Sequence, residues 1–194
     1  MSRAGESRVK ALVIVGSPHA KGKSEKLADA ICAALAEHGA ESEVFSLASH
    51  RIGWCVNCGA CLKTGDCAIK GDDWVGLCSK FESADLVFLV APVYFAGPSA
   101  CLKAMLDRCQ MYWARKYVVK SRVPEKRPCH LLVVGDGGDP FGSSPLETIC
   151  TSALNCANLR IEGNILRFIG NEYDLGRVSQ LVFCALENLG KGEA

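Results

Sequence analysis

The sequence predicts an α/β fold in which a parallel sheet lies between layers of helices. Three observations carry that expectation. Short apolar runs alternate with amphipathic segments five times along the 194 residues. The central run, LVFLV at 86–90, is apolar throughout, as a strand buried on both faces must be. The first run closes on Gly16-Ser17-Pro18 just ahead of a helical pattern, which makes a strand–loop–helix junction.

Each element has its own warrant. VKALVIV at 9–15 is rich in β-branched residues and reads as a buried strand. Leu27, Ile31, Ala34 and Leu35 recur at helical spacing over 24–38, with Ser24 as a candidate N-cap and Gly39 as the stop. Residues 43–47 form a second strand, 48–72 a Gly- and Cys-rich connection, and 73–81 a short helix. After the strand at 86–90, a helix over 99–111 turns Leu102, Met105, Leu106 and Cys109 to the core. A strand at 130–134, a helix at 145–157, a strand at 162–169 and a helix at 175–189 complete the chain. Right-handed crossovers between five such units suit a flavodoxin-like three-layer sandwich, with a five-stranded parallel sheet of order 2-1-3-4-5. Ligands of such sheets bind outside the carboxyl ends of the strands, where the order reverses between strands 1 and 3. The loops 16–24, 92–98 and 135–144 converge on that place.

The totals exclude several function classes. Hydrophobic residues make up 49% and charged residues 22%, and the net charge of +1 gives no general attraction to nucleic acid or to a membrane surface. The apolar run at 11–15 is too short for a signal peptide, and the longest one, 86–97, is broken by Pro92 and too short to span a bilayer. The expectation is one cytoplasmic domain over 1–194 with a Cys-rich loop at 53–73, without nucleic-acid or membrane partners. Nothing in the chain resembles a Ser-His-Asp arrangement or a metal-hydrolase cluster.

The loop GSPHAKGKS at 16–24 has the chemistry of a phosphate site. Hydroxyls of Ser17 and Ser24, the His19 ring and the Lys23 ammonium can all donate, and the helix behind them aims free N–H groups at the same spot. It is not a Walker A loop: five residues separate Gly16 from Gly22 where four are needed, and Pro18 removes a backbone donor. A P-loop kinase is therefore disfavoured, and a monophosphate suits the loop better than a triphosphate. The plain reading is a tight strand–helix turn with solvated lysines.

Twelve cysteines are unusual for a chain with no export signal, where a disulfide framework is not expected. Cys32, Cys101, Cys150 and Cys184 fall within apolar helical patterns and read as small hydrophobes. Cys55, Cys58, Cys61 and Cys67 are different, because they follow the spacing C-x2-C-x2-C-x5-C in a Gly-containing loop. Three thiols spaced by three can converge on one centre, and the bacterial ferredoxin run begins in the same way. Structural zinc more often takes two widely separated C-x-x-C pairs. An iron–sulfur cluster, thiols kept for packing or redox chemistry, and zinc all stay open.

The segment APVYFAGPSACLKAMLDR at 91–108 runs from a buried strand through an aromatic turn into a helix. Tyr94 and Phe95 at a strand's carboxyl end suit the wall of a flat ligand, or a hydrophobic cap on the core. Asp107 and Arg108 at the helix end read as structural, and Asp72-Asp73 as acids favoured at a helix start. Taken together, GSP-x3-G-x-S, the four-Cys run with Asp72-Asp73 behind it, and P-V-Y-F…L-K-x2-L-D-R resemble the NADPH-dependent FMN reductase superfamily, and more narrowly its iron–sulfur flavoprotein branch.

The resemblance implies a flavodoxin-like FMN-binding fold. It implies that Ser17, His19, Lys23 and Ser24 take the FMN phosphate, and that Pro92, Val93, Tyr94 and Phe95 line the isoalloxazine. The Gly135-Asp136-Gly137-Gly138 turn would approach the flavin from the other side, and Cys55, Cys58, Cys61 and Cys67 would hold a [4Fe–4S] cluster. The implied activity is oxidoreduction with NAD(P)H as donor and a quinone or other small molecule as acceptor. An electron carrier that exchanges with ferredoxin is the other implied role. No side-chain acid or base is required, so no catalytic residue is named. Relatives of this kind imply a homodimer or homotetramer. The basic stretch 115–127 could attract the 2′-phosphate of NADPH or an acidic ferredoxin, or simply be solvated.

Overall fold

The computed structural model describes residues 8–121, 123–170 and 174–191. Along the chain the elements are β1 (Lys10–Val15), α1 (Lys23–Glu37), β2 (Glu41–Ser46), α2 (Cys61–Thr64), α3 (Trp74–Ser83), β3 (Leu86–Tyr94) and β4 (Gly97–Pro98). Then come α4 (Ala100–Arg108), α5 (Gln110–Ala114), a π-helical turn (Arg115–Val119), β5 (Arg127–Gly135), α6 (Ser144–Cys156), β6 (Leu159–Ile161), β7 (Leu166–Ile169) and α7 (Leu175–Lys191).

The sheet runs β2-β1-β3-β5, and β6 and β7 both pair with β5 in parallel. β6 takes Arg127–Cys129 and β7 takes Leu132–Gly135, so the two are halves of one edge strand. This is the flavodoxin-like order with its fifth strand broken. The continuous strand expected over 162–169 is corrected here: it starts earlier, at Leu159, and Gly163, at φ +66°, turns the backbone out of the ladder before Leu166 resumes it. β3 runs past Val90 to Tyr94 through Pro92. β1 pairing ends at Val15 opposite Val90, so the N–H that Pro92 lacks would have faced no strand.

Alternation along the strands builds two cores. Leu12, Ile14, Val87 and Leu89 face the layer of α3, α4, α5 and α6, whereas Val13, Val15, Phe88 and Val90 face α1 and α7. The helical spacing on 24–38 is borne out, with Leu27, Ile31, Ala34 and Leu35 all buried. Gly39, at φ +75°, closes α1 as expected: its N–H donates to the Ala36 carbonyl and the Ala40 N–H to Leu35. Ser24, however, is not the N-cap. Gly22 holds that position, and Ser24 is buried in the first turn. Of the four cysteines read as packing residues, Cys150 is buried, Cys32 and Cys101 are half-buried, and Cys184 is exposed on the outer side of α7. The helix expected over 99–111 breaks after Arg108, and α5 and the π-helical turn carry the chain on to Val119.

Candidate functional site at the carboxyl edge

Hydrogen bonds bring the three loops together at the reversal point of the sheet. The Gly16 N–H donates to the Val90 carbonyl at 2.8 Å, which ties the first loop to β3. Ser99 then joins the first loop to the second. It caps α4 by accepting from the Leu102 N–H at 3.3 Å, and its hydroxyl donates to the Gly16 carbonyl at 2.6 Å. Ser99 is fully buried, and the sequence marked it only as a helix start. The Lys23 ammonium joins the first loop to the third by pairing with Asp136 and donating to the Gly170 carbonyl at 3.0 Å. A Cβ on Gly135 would stand 3.5 Å from Val93, so the second and third loops are in contact as well.

Within the first loop, Ser17 is buried and its Oγ accepts the His19 N–H at 3.1 Å. The His19 ring is exposed, Lys23 is half-buried as the first residue of α1, and Ser24 lies beneath it. Lys23 and Ser24 thus open α1, Ser17 and His19 lie in the loop that leads into it, and the Lys23 ammonium is already engaged with the third loop.

The second loop is a two-residue hairpin. β4 pairs antiparallel with β3, Tyr94 opposite Gly97, and the turn residues Phe95 and Ala96 have φ of +50° and +60°. Two positive φ values mark a type I′ turn, which ordinarily takes Asn and Gly. Here a phenylalanine occupies the strained corner with its side chain fully exposed. The Leu146 N–H, at the start of α6, pins the turn from below by donating to the Ala96 carbonyl at 2.9 Å. Pro92 is buried, Val93 half-buried and Tyr94 exposed, so the segment grades from core to surface. In the third loop Gly137 and Gly138 have φ of +85° and +84°, and Phe141 is exposed beyond them. Exposed aromatic side chains on both sides of a backbone-lined edge suit a flat, partly apolar ligand.

The Cys-rich loop is a closed Ω-shaped excursion with a tied neck. Arg51 and Asp73 exchange bonds: the Asp73 N–H donates to the Arg51 carbonyl at 2.9 Å, and the Arg51 N–H to the Asp73 carboxylate at 2.7 Å. Inside them, the Gly53 N–H donates to Asp72 at 2.9 Å. Arg108, at the end of α4, is 0% exposed and meets Asp72, 7% exposed, at 2.7 Å. It also donates to the carbonyls of Gly53 at 3.0 Å and Ile69 at 3.3 Å, with its guanidinium 5.2 Å from the centre of the Trp74 ring. Burial alone would push the Asp72 carboxyl up. Bonds from Gly53, Arg108 and Trp74 overcome that and hold it below its ordinary range. The reading of Arg108 and of Asp72-Asp73 as structural is thus given a definite content. Arg115 fastens the far lobe, donating to the Gly65 carbonyl at 2.8 Å and pairing with Asp66 and Glu82. Part of the basic stretch is therefore committed internally, and its Arg122 lies outside the described residues.

Cys55, Cys58, Cys61 and Cys67 line one cavity of about 40 Å³, shared with Leu62, Arg108 and Met111. Among the described residues no group of three or more His, Cys, Asp or Glu side chains is placed to hold a single metal ion. The thiols nonetheless sense one another. Burial raises Cys61, and Cys67, Cys55 and Cys58 add to the rise. The loop leaves β2 at the carboxyl edge, but the cavity borders the far end of α4, about 12 Å along the helix from the flavin-type loops. Elsewhere burial pushes Cys78 up to about 11 and Cys150 up to about 12, and it raises Cys109 and Cys129 as well, so these thiols stay protonated and act in packing.

Known proteins resemble the chain in sequence and in fold. An iron–sulfur flavoprotein of Archaeoglobus fulgidus is 36% identical over 107 residues, covering 55% of this chain and 48% of that protein. One from Methanocaldococcus jannaschii is 39% identical over 100 residues, covering 52% and 51%. The chain thus spans about half the length of these curated relatives. Among solved structures, an NADH:FMN oxidoreductase in its apo form superposes with a TM-score of 0.62 at 18% identity over 93% of this chain and 88% of that one. Flavodoxin 1 from Bacillus cereus gives 0.63 at 15% over 92% and 97%, and likenesses at this level concern the fold. The family described as NADPH-dependent FMN reductase matches residues 9–144, well over half of the chain, and the protein belongs to that family.

Proposed function

We propose that the chain binds FMN at the edge formed by the loops 16–24, 92–98 and 135–144 and works as a flavin-dependent oxidoreductase. The observation that carries this reading is the junction of the three loops through Gly16, Ser99, Lys23 and Val93 at the reversal point of the sheet, in a chain of this family. FMN supplies two-electron acceptance from a hydride donor and one- or two-electron delivery to an acceptor. The protein's part is binding and orientation. Ser17, His19, Lys23, Ser24 and the α1 N-terminus hold the phosphate monoester. Pro92, Val93, Tyr94 and Phe95 wall the ring, and the Gly135-Asp136-Gly137 turn offers backbone at close range. The donor is NAD(P)H and the acceptor a quinone or comparable small molecule. A bound phosphate would share the Lys23 ammonium with Asp136, the contact that ties the first loop to the third.

The Cys-rich loop supports a second component. Four thiols line one cavity together with apolar side chains. Their C-x2-C-x2-C-x5-C spacing supports a [4Fe–4S] cluster, which takes one thiolate per iron, over structural zinc, which more often uses two separated C-x-x-C pairs. The names of the curated relatives favour the same cofactor pair, and with it a carrier role in which ferredoxin replaces NAD(P)H. Anaerobic reduction separates the two readings. Rapid bleaching of the flavin by NADPH or NADH supports the enzyme. Bleaching by reduced ferredoxin alone assigns the carrier role and overturns the pyridine-nucleotide reading.

A further inference from the structure

Arg108 forms part of the wall of the four-thiol cavity, and its role there rests on the reading that this cavity holds an iron–sulfur cluster. The side chain is 0% exposed and lines that cavity beside Cys55, Cys58, Cys61 and Cys67. Its terminal nitrogens are spent on the neck of the loop: one bonds Asp72 and the Gly53 carbonyl, the other the Ile69 carbonyl. Its Nε–H has no hydrogen-bond partner among the described residues. A buried N–H left without an acceptor is costly, and native structures rarely leave one so. The other two nitrogens of this guanidinium are bonded within the loop. Arg108 lines the four-thiol cavity, so a group bound there is a candidate source of the missing acceptor.

We propose that Arg108 is the positioning residue of the thiol cavity, and that its Nε–H is reserved for a sulfur of the bound cluster. The side chain would then do two jobs. It closes the neck through Gly53, Ile69 and Asp72, which sets the separation of Cys55 from Cys67. It also gives one directed hydrogen bond to a sulfur, which stabilises the reduced, more negative cluster and raises its potential. Asp72 balances the guanidinium charge, so the pair contributes a donor with little net charge. That balance provides a clean test. Removing both partners together leaves the local charge unchanged, and replacing a buried ion pair by uncharged groups of similar volume usually preserves folding.

The test uses wild-type protein, Arg108→Lys and the double variant Arg108→Met/Asp72→Asn, each reconstituted anaerobically with iron and sulfide. Flavin, iron and acid-labile sulfide per chain are assayed, and the cluster potential is followed by EPR-monitored titration. The expected result is wild-type flavin content in both variants, with a downward shift of potential in the clusters that load. A merely structural role would lower occupancy without moving the potential of the remaining clusters, and a wild-type potential in both variants overturns the proposal. If Arg108→Lys fails to fold, the charge-neutral double variant decides by the same criterion. Wild-type protein that holds FMN but no iron or sulfide overturns both this inference and the cluster reading, and leaves the flavin site standing.

Discussion

Phe95 and Ala96 hold the chain in a conformation that L-residues avoid, and they do so at the rim of the flavin-type edge. Placing an aromatic residue there costs stability, and the exposed ring recovers none of it through packing. Ala96→Gly should stabilise the protein by about 1 kcal/mol by relieving a left-handed alanine, read as a higher urea midpoint at unchanged slope. A fall in the midpoint would show that the Ala96 methyl matters more than the strain. Tyr94→Ala should leave folding intact and lower the amount of FMN retained through gel filtration. Unchanged flavin content would remove Tyr94 from the ring wall. Sequence alone gave the residue types on this edge but not the turn, because Phe-Ala carries none of the Asn-Gly chemistry that announces a type I′ hairpin. Ser99 was hidden for a similar reason: an N-cap serine is ordinary, and its bond to Gly16 crosses 83 positions of sequence.

At the level of the elements, the Cys-rich loop is held as one unit by arginines that arrive from α4 and from the π-helical turn. Arg108 and Asp72 form a buried pair, so breaking it on one side should be expensive. Asp72→Ala leaves a buried guanidinium without its counter-ion and should cost about 3–5 kcal/mol in urea unfolding. A loss below about 1 kcal/mol would mean that the neck opens to water and that the loop is not anchored as described. The cysteine spacing was visible in the sequence, and so were the acids that follow it and the Asp-Arg at the end of α4. Their connection was not, because an ion pair between positions 72 and 108 depends on how α4 lies against the loop. The break between β6 and β7 was also missed: Gly163 interrupts a stretch whose flanks pattern as a single strand.

Across the whole molecule, the alternating pattern of apolar runs and amphipathic segments fixed the fold, because each run must be covered on both faces and five of them can be covered in few ways. The same burial makes the protein acid-sensitive. His130 stands in β5 against Phe88, with ring centres 5.5 Å apart, and burial holds it below its ordinary value of 6.5 even though Glu162 acts in the opposite direction. The unfolded chain therefore takes the proton first. The stability tied to a neutral His130 is complete above pH 6.5 and is lost as pH falls through the depressed folded value. Asp72 and Glu147, held below 3.8 and 4.5, add a second loss at still lower pH. The urea midpoint should fall between about pH 7 and pH 5, and His130→Phe should flatten that limb. An equal fall in the variant would assign it to other groups.

On the proposed function, one chain holds a flavin at its carboxyl edge and a cluster in the four-thiol cavity, about a helix length away. Anaerobic purification followed by assay of FMN, iron and acid-labile sulfide per chain tests it most directly. The expected result is FMN together with about four irons and four sulfides, the iron and sulfide being lost when Cys55, Cys58, Cys61 or Cys67 is changed to Ser. Protein with FMN but no iron would contradict the cluster and return the loop at 55–67 to another role, and protein without FMN would contradict the flavin site at 16–24.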